Sequence, residues 1–205
     1  MGKVARVVGL VALVVLMAAV TPASAITINF ESDAPGSKPN GWTSNDSALV
    51  HFTDSVGEAL DVEDYAWQGD GLSLGVMDDW DDSELIMDFD VNMDSISLDY
   101  GNDDPGWANQ GDQAVLKLFL GGNQVGQVSQ VMNLDDIMNQ TISFSGASFD
   151  QATFKFAVTS GRGLIEIVDH IVLNEGGPTT IPEPTSLALL GLGLLGFVRR
   201  SRRQK

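Results

Sequence analysis

Leu85-Ile86-Met87-Asp88-Phe89-Asp90-Val91, followed after Asn92-Met93-Asp94 by Ser95-Ile96-Ser97-Leu98-Asp99-Tyr100, is the stretch that decides the fold. Leu85, Met87, Phe89 and Val91 alternate with Ile86, Asp88 and Asp90, and Ile96, Leu98 and Tyr100 alternate with Ser97 and Asp99. Successive side chains of a strand point to opposite faces, so a period of two buries one face and wets the other.

The same period recurs on both sides. Ile26, Ile28 and Phe30 alternate with Thr27, Asn29 and Glu31; Leu116, Leu118 and Leu120 follow, then Ile142 and Phe144, then Phe154, Phe156 and Val158. Polar and glycine clusters separate the runs at Asn102 to Gly106, Gly121-Gly122-Asn123, Ser145-Gly146 and Ser160-Gly161. Such clusters supply the turns between strands. No stretch from Ile26 to Glu175 sustains a helical period for three turns, although Asn133 to Asn139 has room for one short turn. Many short strands with polar turns predict an all-β domain, a two-sheet β-sandwich of the jelly-roll kind.

Charge is distributed unevenly. Between Ile26 and Ile181 there are 27 Asp and Glu against four basic residues, Lys38, Lys117, Lys155 and Arg162, a net charge of −23. Such a surface repels nucleic acid and anionic lipid and suits solubility and divalent cations. There are no cysteines, so no disulfide contributes to stability. About 150 residues suit one domain, and a chain of that size buries roughly 68–70% of its unfolded surface.

Both ends of the chain are apolar. Lys3 and Arg6 precede an unbroken apolar run from Val7 to Val20, and Ala23-Ser24-Ala25 ends in the A-x-A pattern of a secretory signal peptide. Cleavage after Ala25 would start the mature chain at Ile26. At the other end, Pro182-Glu183-Pro184 leads into an uncharged run from Thr185 to Val198, then Arg199, Arg200, Ser201, Arg202, Arg203, Gln204 and Lys205. The run is 14 residues long, which as a helix reaches about 21 Å against a hydrocarbon core of ~30 Å. Local bilayer thinning and snorkelling arginines accommodate that mismatch, and the basic cluster keeps its end cytoplasmic.

Pro-Glu-Pro, a Leu- and Gly-rich apolar run and a terminal arginine cluster, in that order against the chain end, resemble the PEP-CTERM sorting signal of Gram-negative surface proteins. The resemblance implies recognition by an exosortase at the inner membrane, with Pro182, Glu183 and Pro184 as sorting motif and Arg199, Arg200, Arg202 and Arg203 as basic stop. It also implies export to the cell surface or extracellular matrix of exopolysaccharide-producing, biofilm-forming cells. The chain thus divides into a signal peptide (1–25), a β-sandwich domain (26–174), a linker (175–181) and a sorting signal with a short apolar helix (182–205).

Asp169 carries the sharpest chemical question. Parity places it with Ile165, Ile167, Ile171 and Leu173 on the inward face of the last run, where a carboxylate needs a partner, a metal ion or a bulge that turns it outward. Ile28-Asn29-Phe30-Glu31 and Ile167-Val168-Asp169-His170-Ile171 are similar to the first and last strands of jelly-roll carbohydrate-binding modules. That similarity implies a structural Ca2+ held by Glu31 and Asp169. Asp78-Asp79-Trp80-Asp81-Asp82-Ser83-Glu84 fails as an EF-hand, because Glu84 stands where the loop requires glycine. It reads as an acidic turn, and Asn102-Asp103-Asp104 with Asp112 is a similar case.

All four tryptophans sit in loop-like contexts, where a ring can stack on a sugar or cap the core. Trp80 and Trp107 are the glycan-stacking candidates. His51 and His170 are the only histidines, and no Gly-x-Ser-x-Gly, HExxH or P-loop pattern occurs. The sequence therefore points to a non-catalytic structural or adhesive surface protein. A carbohydrate-binding module acting on exopolysaccharide is the alternative. A glycoside hydrolase, which needs only two carboxylates, ranks last.

Overall fold

The computed structural model describes residues 25–57, 60–76, 82–102, 106–135, 137–160 and 163–176. The signal peptide up to Ser24, the sorting motif, the expected apolar helix at the C-terminus, the basic cluster and Trp80 lie outside the described residues. Among the described residues no helix is long and apolar enough to cross a membrane.

The described residues form ten strands: β1 (Ala25–Ile28), β2 (Gly36–Lys38), β3 (Val50–Asp54), β4 (Leu60–Asp64), β5 (Leu72–Val76), β6 (Leu85–Asn102), β7 (Gln113–Leu120), β8 (Asn123–Val131), β9 (Gln140–Ala157) and β10 (Glu166–Glu175). A 3-10 turn spans Ala66–Gln68. The all-β expectation holds. The strands are hydrogen-bonded as one antiparallel sheet in the order β2-β4-β5-β10-β6-β9-β7-β8, with β1 added to β10 and β3 to β6.

The two long strands explain how one sheet surrounds one core. The amino half of β6 pairs with β3 and with the carboxyl half of β9, Leu85 facing Phe154. Its carboxyl half pairs with β10 and with the amino half of β9, Leu98 facing Ile142. Register shifts around Met93 separate the halves, and such bulges bend a strand and increase its twist. The deciding stretch is therefore one strand of 18 residues, and Asn92 to Asp94 is its bend.

Alternation sets what is buried. Leu85, Met87, Phe89, Ile96, Leu98 and Tyr100 of β6 are all buried, together with Leu116, Leu118, Phe154, Phe156, Ile171 and Leu173. Edge and tilted ring contacts join Tyr100, Phe154 and Phe156, with centroids 5.5 to 5.9 Å apart. Phe30, Trp42 and Phe52 form a second aromatic group near the chain start. β10 continues to Glu175, one residue into the stretch read as linker.

Candidate cation cleft at the β1–β5 junction and exposed aromatic sites

β10 changes partners in its middle. Its amino half lies against β5, Val168 facing Leu74, and its carboxyl half against β1, Ile171 facing Ile28. Asp169 and His170 fall between the two partners, at a register shift, and His170 takes a left-handed φ of 45°. A non-glycine residue held there is strained by its surroundings, a condition common at ligand sites. Sequence parity offered a bulge that would turn Asp169 outward. The bulge is present, yet Asp169 stays inside, 0% exposed.

Carboxylates hold the segment that follows β1. Beyond β1, the Asp46 carboxylate accepts the backbone N–H groups of Asn29 and Phe30, and Phe30 adopts φ 58°. Glu31 then reaches β5, where its Oε1 accepts the N–H of Leu72 at 2.9 Å. Gly71 is required for this approach: a Cβ there would stand 1.9 Å from Glu31 Oε1, and its φ is 74°. Gly101 plays the same part behind the cleft, because a Cβ would stand 1.9 Å from the Gln68 carbonyl oxygen.

Electrostatics make the cleft unusual. Asp169 Oδ1 accepts the His170 N–H at 2.6 Å, while the buried Oδ2 has no hydrogen-bond partner. Burial pushes the Asp169 carboxyl up to about 7; the His170 N–H and side chain oppose this, and the charges of Asp70 and Glu31 add to it. The half-exposed His170 imidazole lies 3.5 Å from Asp169 Oδ2 and 3.6 Å from Asp99 Oδ2. The lysines are engaged elsewhere. Lys117 and Lys155 pair with Glu84, Lys155 also pairs with Asp82, and Lys38 lies over Trp42 while donating to the Ala34 carbonyl. Among the described residues no group of three or more His, Asp or Glu side chains is arranged to hold a metal ion. The donor chemistry does suit a hard cation, since a buried carboxylate oxygen without a partner is what such an ion satisfies.

The other acidic stretches have structural roles. Glu84 gains from burial a raised pKa that Lys117, Thr153 and Lys155 more than offset, holding it below the usual carboxylate range. Asp112 is buried and accepts the Asn109 N–H at 2.7 Å, the Thr159 N–H at 3.0 Å and the Thr159 hydroxyl at 2.8 Å. Burial alone would raise its pKa, and these three bonds hold it low instead. Asp103 and Asp104, its suggested companions, lie outside the described residues.

Exposed rings form the second candidate site. Trp107 is 45% exposed, as its loop context suggested, and Trp67 is 65% exposed. Trp67 was not singled out by sequence, because its neighbours gave no turn signal beyond Gly69. Its carbonyl accepts the Met138 N–H, which brings it beside the exposed Ile137 and the Asn133–Asn139 hydrogen bond. Trp42 is instead packed against the core. His51 pairs with Asp90 on the surface at 3.1 Å. A shallow depression of about 390 Å3 at the β6–β9 bulges is lined by Asp94, Ser95, Ser145, Gly146, Ala147 and Ser148.

Taken with its termini, the molecule is an all-β domain attached to a delivery signal. A family model described as "PEP-CTERM protein-sorting motif" matches residues 180–203. The chain carries that motif, which indicates export and exosortase-mediated sorting to the surface. No curated protein sequence matches significantly. Among solved structures the chain is similar to a DUF4465 family protein from Bacteroides caccae, at 12% identity and TM-score 0.48, over 75% of this chain and 100% of that one. It is also similar to an arabinose-bound α-L-arabinofuranosidase (15% identity, TM-score 0.45, 73% of this chain and 26% of that one). A family 32 carbohydrate-binding module of Clostridium perfringens NanJ, in complex with galactose, is similar at 12% identity and TM-score 0.36, over 74% of this chain and 100% of that one.

Proposed function

We propose that this chain is a surface protein of a Gram-negative bacterium, processed by an exosortase at the inner membrane, whose acidic β domain then acts non-catalytically. Its role is structural or adhesive, among exopolysaccharide in a biofilm or extracellular matrix. The observation that carries this reading is the position of the sorting motif: it begins at residue 180, five residues after β10 ends at Glu175. So short a connection holds the folded domain at the membrane face until processing frees it. The experiment compares the host with a strain lacking exosortase. The protein should reach the surface of the first and remain in the inner membrane of the second. Equal surface display in both would overturn the reading.

Glycan binding is the second reading, favoured by the exposed rings of Trp67 and Trp107; Trp80 is a further candidate. Flat aromatic faces stack on the apolar faces of sugars. Titration with the host's exopolysaccharide should quench tryptophan fluorescence, and Trp67→Ala with Trp107→Ala should abolish the effect. An unaltered spectrum at saturating polysaccharide would remove this reading.

Structural Ca2+ at Glu31 and Asp169 belongs to the same proposal. Its support is the buried Asp169 Oδ2, which accepts no hydrogen bond, in a carboxyl that feels the charges of Asp70 and Glu31. The ion would offset the charges of Glu31 and Asp169 and tie the segment after β1 to β10.

A further inference from the structure

An antiparallel sheet that does not close leaves edge strands whose outward N–H and C=O groups can pair with another chain, and soluble proteins normally protect them. This molecule protects three of its edges. β2 is only three residues long, is flanked by Pro35 and Pro39, and carries Lys38. β3 is covered by the segment before it, since Gly41 N donates to Phe52 O and Phe52 N donates to Trp42 O, both at 2.8 Å. β1 has four residues, and Asp46 closes the backbone that follows it.

β8 has none of these devices, and its irregularity is one bulge at Val125, near its start. It closes one end of the sheet, pairs with β7 alone, and runs for nine residues, Asn-Gln-Val-Gly-Gln-Val-Ser-Gln-Val, without proline or charge. Its neighbourhood in sequence is equally neutral. From Gln113 to Leu134, 22 consecutive residues contain no Asp or Glu and one basic residue, Lys117, in a domain whose net charge is −23. Lys117 is spent on Glu84. Gln127, Ser129 and Val131 are exposed, whereas Val128 packs toward the core. Gln140 Nε2 reaches the Val131 carbonyl at the strand's end, so the pairing-competent stretch lies before it.

We propose that β8 is a homotypic strand-pairing surface whose partner is the β8 of a second copy of this chain. Charge selects that occupant. Two molecules this acidic repel across most faces, and the β7–β8 ribbon is where one copy meets another without opposing carboxylates. An antiparallel pair about a two-fold axis at Gln127 is self-complementary, setting Gln127 against itself, Val125 against Ser129 and Gln124 against Gln130. An edge contact buries less than the ~1,000 Å2 of a stable interface, so the dimer is weak and forms where copies are concentrated. Sorting many copies to one surface supplies that concentration.

The test uses the full chain, its apolar ends held in mild detergent, with light-scattering mass and amide exchange followed over a concentration series. The wild-type protein mass should rise toward twice the monomer, with exchange slowing at residues 124–130. Gln127→Glu should remain monomeric with an unchanged melting temperature, because in one copy the new carboxylate is exposed and can still accept from Gln124 Nε2, and only in the dimer does it face itself. Ser129→Glu is the second such variant, and Ser37→Glu on β2 should dimerise like the wild type. A wild type that stays monomeric throughout would overturn the proposal, as would dimers that persist in both β8 variants. Protection of residues 124–130 at every dilution would also overturn it, because another part of the same chain would then cover the edge.

Discussion

Glu31 Oε1 accepts the Leu72 N–H at 2.9 Å, so the residue beyond the end of β1 also fixes the first residue of β5. Asp169 sits on β10 between the residues that pair with β5 and those that pair with β1, buried, and its Oδ2 accepts no hydrogen bond.

Calcium should raise the melting temperature of the wild type relative to chelator. Linkage gives about 2.7 kcal/mol for an ion at about 100 times its Kd. Asp169→Asn should abolish that response, having removed the charge without removing the volume. Identical melting curves with and without calcium would exclude the ion, and a surviving response in Asp169→Asn would place it elsewhere.

Asp112 should govern part of the acid sensitivity. Its folded pKa lies below the unfolded value, so its contribution is complete above the unfolded value of about 3.9 and is lost as pH falls through the lower, folded one. Asp112→Asn should cost about 1–3 kcal/mol at neutral pH, since Asn109 and Thr159 lose a charged acceptor. Denaturant titrations at neutral and acid pH measure both effects. An equal cost at pH 7 and below pH 3 would show that ionisation is irrelevant.

Tyr100 predicts the opposite kind of result. Its hydroxyl is buried without a hydrogen-bond partner, and burial pushes its pKa up to about 12. Removing an unsatisfied polar group is close to neutral or stabilising, so Tyr100→Phe should melt no lower than the wild type. Because the folded pKa exceeds the unfolded value of about 10, stability should fall as pH rises from about 10 toward 12, and Tyr100→Phe should be spared that fall. A Tyr100→Phe protein that loses more than about 1 kcal/mol would reveal a hidden partner.

Glu183 and Pro184 should matter for processing and not for membrane insertion. Proline disfavours helix at its own position and at the residue before it, and the prediction rests on that property of the sequence Pro182-Glu183-Pro184. A Glu183→Ala, Pro184→Ala double variant should accumulate as inserted precursor, whereas replacing Arg199, Arg200, Arg202 and Arg203 should perturb topology. Normal maturation of the double variant, followed by immunoblot in the host, would refute recognition at this motif.

The strands with strict alternation were readable in advance, and the others were not, for identifiable reasons. β6 showed itself as two runs because Asn92 and Asp94 resemble a turn, while the structure bends one strand there. β8 has too few large apolar residues to register, since Gly126 and Gln130 take inward positions beside Val128. Parity singles out Asp169, and the resemblance to the first and last strands of carbohydrate-binding modules singles out Glu31, which the structure places three residues beyond β1. Asp70 was invisible, because only the change of partner along β10 brings it toward a residue nearly a hundred positions away. Exposure of Trp67 likewise depends on a 3-10 turn with no apolar period.

Mass spectrometry of the protein recovered intact from the cell surface tests the central claim most directly, because it reads both ends at once. The account predicts a first residue of Ile26 and a last residue upstream of Arg199, with the apolar run and the basic cluster gone. Surface protein that begins at Met1, or that still carries Arg199 to Lys205, would contradict it.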